Sequence, residues 1–181
     1  MREFGNIGYF QKQRLEFIEF RLEYFNHFNR QDLIDFFGCG PASATRDIAL
    51  YKKVASDNLK LSFDSTQYVR MNSFSPVFKH CKYRILEGLA RGFCGLSFAD
   101  VLQKKIIEEQ RIELKTTCEE IAIISRAISL QTSLQAIANG ELTIIKPSNL
   151  ILEYNGDLSL ECYSENPNNT QYRVADLSFP K

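Results

Sequence analysis

Residues Asn29 to Met71 constrain the fold more than any other stretch of this chain: NRQDLIDFFG, then CG, then PASATRDIALYKKVAS, then NLKLSFDSTQYVRM. Leu33, Ile34, Phe36 and Phe37 recur at helical spacing behind the polar start Asn29, Arg30, Gln31 and Asp32, which offers a cap and first-turn acidity. Gly38, Cys39 and Gly40 end that helix, and Pro41 opens a second one at a position where the missing N–H has no partner to lose. Alternating runs follow at once, with Leu59, Leu61 and Phe63 set against Tyr68 and Met71 across a turn at Asp64, Ser65 and Thr66. Two short helices meeting at a glycine break and followed by a hairpin have the order of a winged helix-turn-helix.

In the second helix Ala44, Ile48, Tyr51 and Ala55 fall in one narrow arc at about 100° per residue, which predicts the buried face. The opposite arc carries Ala42, Arg46, Ala49 and Lys53, with Ser43 and Leu50 at its edges. A face of small residues with one arginine is either a solvated surface or one that meets a major groove. The break before it and the hairpin after it favour double-stranded DNA. On that reading Ser43, Thr45 and Arg46 face bases, while Lys53, Lys60, Gln67 and Arg70 point outward to phosphates.

With 181 residues, 44% hydrophobic and 24% charged, the chain is long enough for one sizeable domain or two small ones. The formal net charge is zero, but residues 1–93 carry 14 Lys and Arg against 10 Asp and Glu, a net of +4, so the N-terminal half is the one suited to nucleic acid. Five cysteines stand singly, without a CxxC pair, and His27 and His80 lack ligand-like spacing to them. They read as small buried hydrophobes in a reducing compartment, and neither a metal nor a cofactor is expected. Paired carboxylates, a phosphate loop and a GxSxG elbow are missing, which argues against an enzyme. No signal-peptide core opens the sequence and no run reaches the ~18 to 20 apolar residues that span a bilayer, so a cytoplasmic location is expected.

Upstream, residues 11–27 predict a helix with Leu15, Ile18, Leu22 and Phe25 on one face, while Phe17, Phe20 and Tyr24 widen the apolar arc into either core or a partner surface. Downstream, Phe74, Pro76 and Phe78 make an extended connector, and Lys79 to Ala90 read as a helix closed by Gly88 or Gly92; His80, Lys82, Arg84 and Arg91 read there as a solvated basic face. Ser97 and Asp100 could cap a helix over the following VLQKKIIEEQ, which also suits strands. Thr117 and Glu120 have capping-box spacing before Ile121, Ile124 and Ile128. From Leu130 the period changes to two, with Asn139-Gly140 and Asn155-Gly156 as hairpin turns and TQYRVADLSF as a last run after the polar loop ENPNN, predicting a small antiparallel sheet or open barrel. The fold class is therefore α+β, divided into a DNA-binding domain over 1–75, a linker region over 76–116 and a β domain over 117–181.

This order of pieces resembles the WYL-domain transcriptional regulators that accompany bacterial anti-phage systems such as BREX and CBASS. The resemblance runs over about residues 14–78, through Asp32-Leu33, Phe37-Gly38, Ala44-Thr45-Arg46-Asp47-Ile48 and Phe74-Ser75-Pro76. It implies a winged helix-turn-helix, a linker and an Sm-like barrel, and a homodimeric repressor of a phage-defence or mobile-element operon. In the second half Pro147, Leu150, Gly156 and Tyr163 stand at family positions, but Leu158, Ser159 and Glu161 occupy the strand where the family places an aromatic, a histidine and an arginine. The carboxylate of Glu161 would repel a nucleotide-like ligand, which puts such a ligand in doubt and suggests a barrel kept as a scaffold or pairing surface. The other reading is a truncated interaction protein that modulates a full-length regulator through the aromatic face of residues 15–28 or an edge of the C-terminal sheet.

Overall fold

The computed structural model describes residue 4 and residues 7–96, 114–163 and 170–180. The caps at Ser97 and Asp100, the choice between helix and strand over 101–113 and the loop ENPNN lie outside the described residues. The chain divides into two compact units, 1–100 and 101–181.

The first unit is built on α1 (Tyr9–Phe25), which ends in the left-handed residue Asn26. It is followed by β1 (His27–Phe28), α2 (Arg30–Phe37), α3 (Pro41–Val54), β2 (Leu59–Leu61), β3 (Tyr68–Arg70) and α4 (Lys82–Arg91). The predicted cap of α2 is present as a full box: the Asp32 N–H donates to the Asn29 side chain at 3.0 Å and the Asn29 N–H to the Asp32 carboxylate at 2.8 Å. Gly38, at φ 61°, closes α2, and Pro41 opens α3 as expected. The three strands form a sheet in the order β1-β3-β2, so the wing has a third strand in His27 and Phe28, the first of which the sequence predicts as the last residue of a helix.

The aromatic excess of α1 is core. Phe17, Phe20 and Tyr24 are buried, and Phe17 packs against Phe36, Phe37 and Phe93 with ring centroids 4.9 to 5.4 Å apart. Helix α4 runs through Gly88 and stops at Gly92, at φ 103°. Gly88 is a point of close approach, since a Cβ there would stand 3.1 Å from the Phe20 ring.

The second unit holds α5 (Cys118–Leu130) and strands β4 (Leu134–Ala138), β5 (Glu141–Ile145), β6 (Pro147–Leu152), β7 (Leu158–Cys162), β8 (Thr170–Arg173) and β9 (Leu177–Ser178). Thr117 and Glu120 cap α5 reciprocally, at 2.7 and 3.1 Å. The strands pair antiparallel in two sheets, β5-β4-β9 and β6-β7-β8, and Lys146 alone separates β5 from β6. Asn139 and Gly140, both at positive φ, make the two-residue turn between β4 and β5, while the Asn155-Gly156 hairpin closes through a longer loop in which the Glu153 N–H donates to Asp157 O at 2.9 Å. The run TQYRVADLSF is broken rather than continuous. A 3₁₀ turn at Val174–Asp176, held by the Arg173–Asp176 ion pair at 2.9 Å, passes the chain from one sheet to the other and buries Val174. Among the described residues no helix is long and apolar enough to cross a membrane.

Candidate nucleic-acid interface

Helix α3 is divided as its periodicity dictates. Ala44, Ile48, Tyr51 and Ala55 are all buried, and Ala42, Arg46, Ala49 and Lys53 are exposed, with Ser43 and Leu50 half-buried between them. Seating this helix takes more than apolar packing. Asp47, 1% exposed, accepts from Arg14 Nε and from Gln11 Nε2, which ties the middle of α3 to the first half of α1. One turn further on the Tyr51 hydroxyl donates to Glu19 Oε2 at 2.8 Å.

Glu19 is fully buried in the middle of α1 and is the hub of the unit. Its carboxylate also accepts the backbone N–H groups of Val77 and Phe78, both at 2.9 Å, and Oε1 lies 2.9 Å from His80 Nε2. The other ring nitrogen of His80 lies 2.9 Å from the Tyr24 hydroxyl. Asn58 extends the network: its amide donates to the Tyr51 hydroxyl at 3.1 Å and to Ser75 O at 2.9 Å, and its oxygen accepts from the Ser75 N–H at 2.9 Å. One buried acid thus fixes α3, the connector after the wing and His80 against a single helix. Three glutamates on α1, Glu16, Glu19 and Glu23, are buried. They were passed over in the sequence because polar residues on an amphipathic helix read as its wet side. The signal available was their i, i+3/i+4 spacing along the same turns as Leu15, Ile18 and Leu22.

The proposed base-facing residues lie together. Arg46 donates through Nη2 to Ser43 Oγ at 3.2 Å, both near the start of α3. The Thr45 hydroxyl donates to Pro41 O at 2.9 Å and accepts from Arg30 Nη1 at 3.4 Å, so it is engaged within the protein. Lys53 and Lys60 are exposed, on α3 and on the wing, and Gln67 is half-buried where the turn returns to β3.

Arg70 does not point outward. Its Nε donates to Glu23 Oε2 at 2.8 Å, its Nη1 to Met71 O at 3.2 Å, and its guanidinium stacks 4.6 Å over the Phe74 ring. The register explains the turn inward: Arg70 is paired with Leu59, which is 2% exposed, so both lie on the core side of the ribbon while Lys60 lies on the other. Strand parity already separates Arg70 from Gln67, three residues away. The wing is also shorter than expected. Leu61 is half-exposed and Phe63 almost fully exposed, at 98%, because β2 is three residues long and Phe63 belongs to the turn. His80, read as part of a solvated basic face, is instead buried against Glu19.

An open cleft of about 510 Å³ lies between the N-terminus of α2, the Thr45 and Ile48 side of α3 and the wing, lined by Arg30, Gln31, Thr45, Ser65, Thr66 and Gln67 among others. Its lining residues include no carboxylate. A second groove, about 380 Å³, lies beside Phe20, Phe36 and Phe93 and contains Arg21, Asp32 and Asp35.

In the other unit, Glu161 lies on the central strand β7 and accepts from Asn149 Nδ2 at 2.9 Å. Leu158, Ser159, Leu160 and Cys162 around it are buried. Of the five cysteines Cys162 is buried and the other four are half-buried; all are free thiols.

Residues 11–86, which span α1 through the middle of α4, match the family model of the BrxR transcriptional regulator winged helix-turn-helix domain. Over 68 residues the chain is 41% identical to the DNA-binding transcriptional repressor CapW of Escherichia coli (strain KTE188), an overlap that covers 38% of this chain and 23% of that protein. The repressor of the same name from Stenotrophomonas maltophilia is 36% identical over 92 residues, 49% of this chain and 31% of that protein. The one from Pseudomonas aeruginosa is 41% identical over 68 residues, with 38% and 23% covered. The matched segments therefore span less than a third of the length of the curated relatives. They support the resemblance to phage-defence-associated WYL-type regulators in the winged helix-turn-helix part of the chain.

Proposed function

We propose that this protein is a sequence-specific DNA-binding transcriptional repressor that acts as a homodimer on a phage-defence or mobile-element operon. The observation that carries the reading is α3, whose buried side is anchored to α1 by Asp47 and Tyr51 while its small-residue arc, Ala42, Arg46 and Ala49 with Ser43 half-buried at the edge, is left exposed. A major groove admits a helix of this kind, and Arg46 has the fork geometry that reads a guanine edge. Lys53, Lys60 and Gln67 flank it as phosphate contacts, and Arg70 acts from within by holding the wing. The repressor function of the similar proteins and the net positive charge of residues 1–93 support the assignment.

Selection of random duplexes with the purified protein at near-physiological salt tests this directly. Enrichment of a palindrome with a fixed half-site spacing is expected from a dimer. Arg46→Ala should then cost about 1–3 kcal/mol on the selected site and relax its preference at one base pair. A folded protein that enriches nothing sinks the reading.

A second reading has one specific observation in its favour. On the outer face of the β4–β5 hairpin, Ile137, Leu142 and Ile144 are 38%, 66% and 71% exposed, and β5 is a sheet edge. In a protein that pairs with a full-length regulator, this is the surface that would make the contact. The aromatic face of residues 15–28, the other surface considered for such pairing, is occupied by the protein's own core. Co-elution with a full-length relative at micromolar concentration is the result this reading requires.

A further inference from the structure

Resting on the DNA-binding reading, we infer that the cleft between α2 and the wing is a seat for a backbone phosphate of the duplex. Arg30 is the cation of this seat, and Thr45 is the residue that positions it rather than a reader of bases.

Arg30 is the first residue of α2, directly after the Asn29 cap, and its side chain is exposed at the edge of the cleft. Its Nη1 reaches across to the Thr45 hydroxyl at 3.4 Å. That hydroxyl already donates its single proton to Pro41 O at 2.9 Å, so toward Arg30 it can only accept. The contact therefore fixes one end of the guanidinium between the two helices. A guanidinium carries five N–H donors in a planar fork, a shape suited to a phosphate. The cleft's charge has the matching sign: Arg30 is the cation in the lining, and no acid stands beside it there. The second groove, with Asp32 and Asp35, lacks this property.

A tight turn forms the wing side of the cleft. Thr66 holds φ at 53°, a left-handed conformation costly for a β-branched residue, with its hydroxyl donating to Ser65 O at 2.7 Å. This strained turn places Ser65, Thr66 and Gln67 on the wall facing Arg30. A phosphate held between these walls would set the angle at which α3 enters the groove.

The test is a salt series on the full chain, with the selected duplex and a shuffled one as probes, for wild type, Arg30→Ala, Arg30→Lys and Thr45→Val. Arg30→Ala is expected to weaken both duplexes by a similar factor, roughly tenfold, and to lower the slope of log affinity against log salt by about one. Arg30→Lys should keep the slope and lose only part of the affinity, because the charge stays and the fork is lost. Thr45→Val should weaken both duplexes without changing which base pairs are preferred. The inference is overturned if Arg30→Ala leaves the slope unchanged while wild type binds, or if Thr45→Val shifts base preference at constant slope. If wild type binds neither duplex, the DNA-binding reading fails and this seat fails with it. Equal melting temperatures across the set separate these outcomes from loss of fold.

Discussion

The Tyr51 hydroxyl donates to the Glu19 carboxylate at 2.8 Å and thereby joins the buried face of α3 to the middle of α1. The same carboxylate, fully buried, accepts the backbone N–H groups of Val77 and Phe78, so truncating it removes the acceptor of three donors. Glu19→Ala should cost about 3–5 kcal/mol, as expected for removal of one member of a buried polar network. Tyr51→Phe keeps the ring in place, and Asn58 keeps its bonds to Ser75, so its cost should be only about 1–2 kcal/mol. Urea unfolding followed by circular dichroism measures both. A Glu19→Ala loss below about 1 kcal/mol would show that the hub is not stabilising.

Alkaline pH should act on the same pair. Burial first, and then the negative field of Glu19, push the Tyr51 phenol far above its ordinary 10.0. Below pH 10 the phenol is protonated in both folded and unfolded chains and pH changes nothing through it. Above about pH 10 the unfolded chain releases this proton and the folded one retains it, so the folded state binds more protons and stability falls as pH rises. Tyr51→Phe removes this component. Its urea midpoint should fall less between pH 9 and pH 11 than that of the wild type, and parallel falls would refute the assignment.

Gly88 sets two effects against each other. Alanine in a helix interior is favoured over glycine by about 1 kcal/mol, but the new Cβ would stand 3.1 and 3.2 Å from two atoms of the Phe20 ring. That ring is 3% exposed and lies among Tyr24, Phe25 and Phe93 at centroid distances of 5.3 to 5.7 Å, so it can retreat only toward the groove beside it and at the cost of those ring contacts. Overpacking of this order costs about 1–3 kcal/mol and should win. Gly88→Ala is expected to lower the thermal midpoint, and Gly88→Leu to lower it much further. A stabilised alanine variant would mean that α4 can shift away from α1.

The parts of this molecule that could be read from its sequence are those governed by local chemistry. The Asn29 and Thr117 caps, the Gly38 stop, the Pro41 start and the Asn139-Gly140 turn each depend on residues within four positions, and each is found where it was expected. The buried arc of α3 follows in the same way from its period. What could not be read depends on partners distant in sequence. Glu19 looks like any surface acid until Tyr51 and His80, 32 and 61 residues away, are brought to it. Phe20 looks like spare apolar surface until Phe93 and Gly88 cover it. In the candidate interface the α3 face was legible, whereas the contribution of Arg30 needed the fold to bring the start of α2 against Thr45.

Arg70 distinguishes a contact with DNA from a contact that shapes the winged unit itself. It was expected on the outside of the wing, and it lies inside, between Glu23 and the Phe74 ring. Arg70→Ala would leave the Glu23 carboxylate, itself mostly buried, without that cation and remove the stacking on Phe74. Because both side chains keep some exposure to water, the loss of stability should be about 1–3 kcal/mol rather than that of a fully buried pair. Arg70→Lys should recover only part of it, since lysine can approach Glu23 but cannot also donate to Met71 O and stack as a plane on Phe74. Among molecules that remain folded, the salt dependence of duplex binding should match wild type, because no phosphate contact has been lost. A salt slope lower by about one in Arg70→Ala, with the urea midpoint unchanged, would instead place this arginine on the DNA.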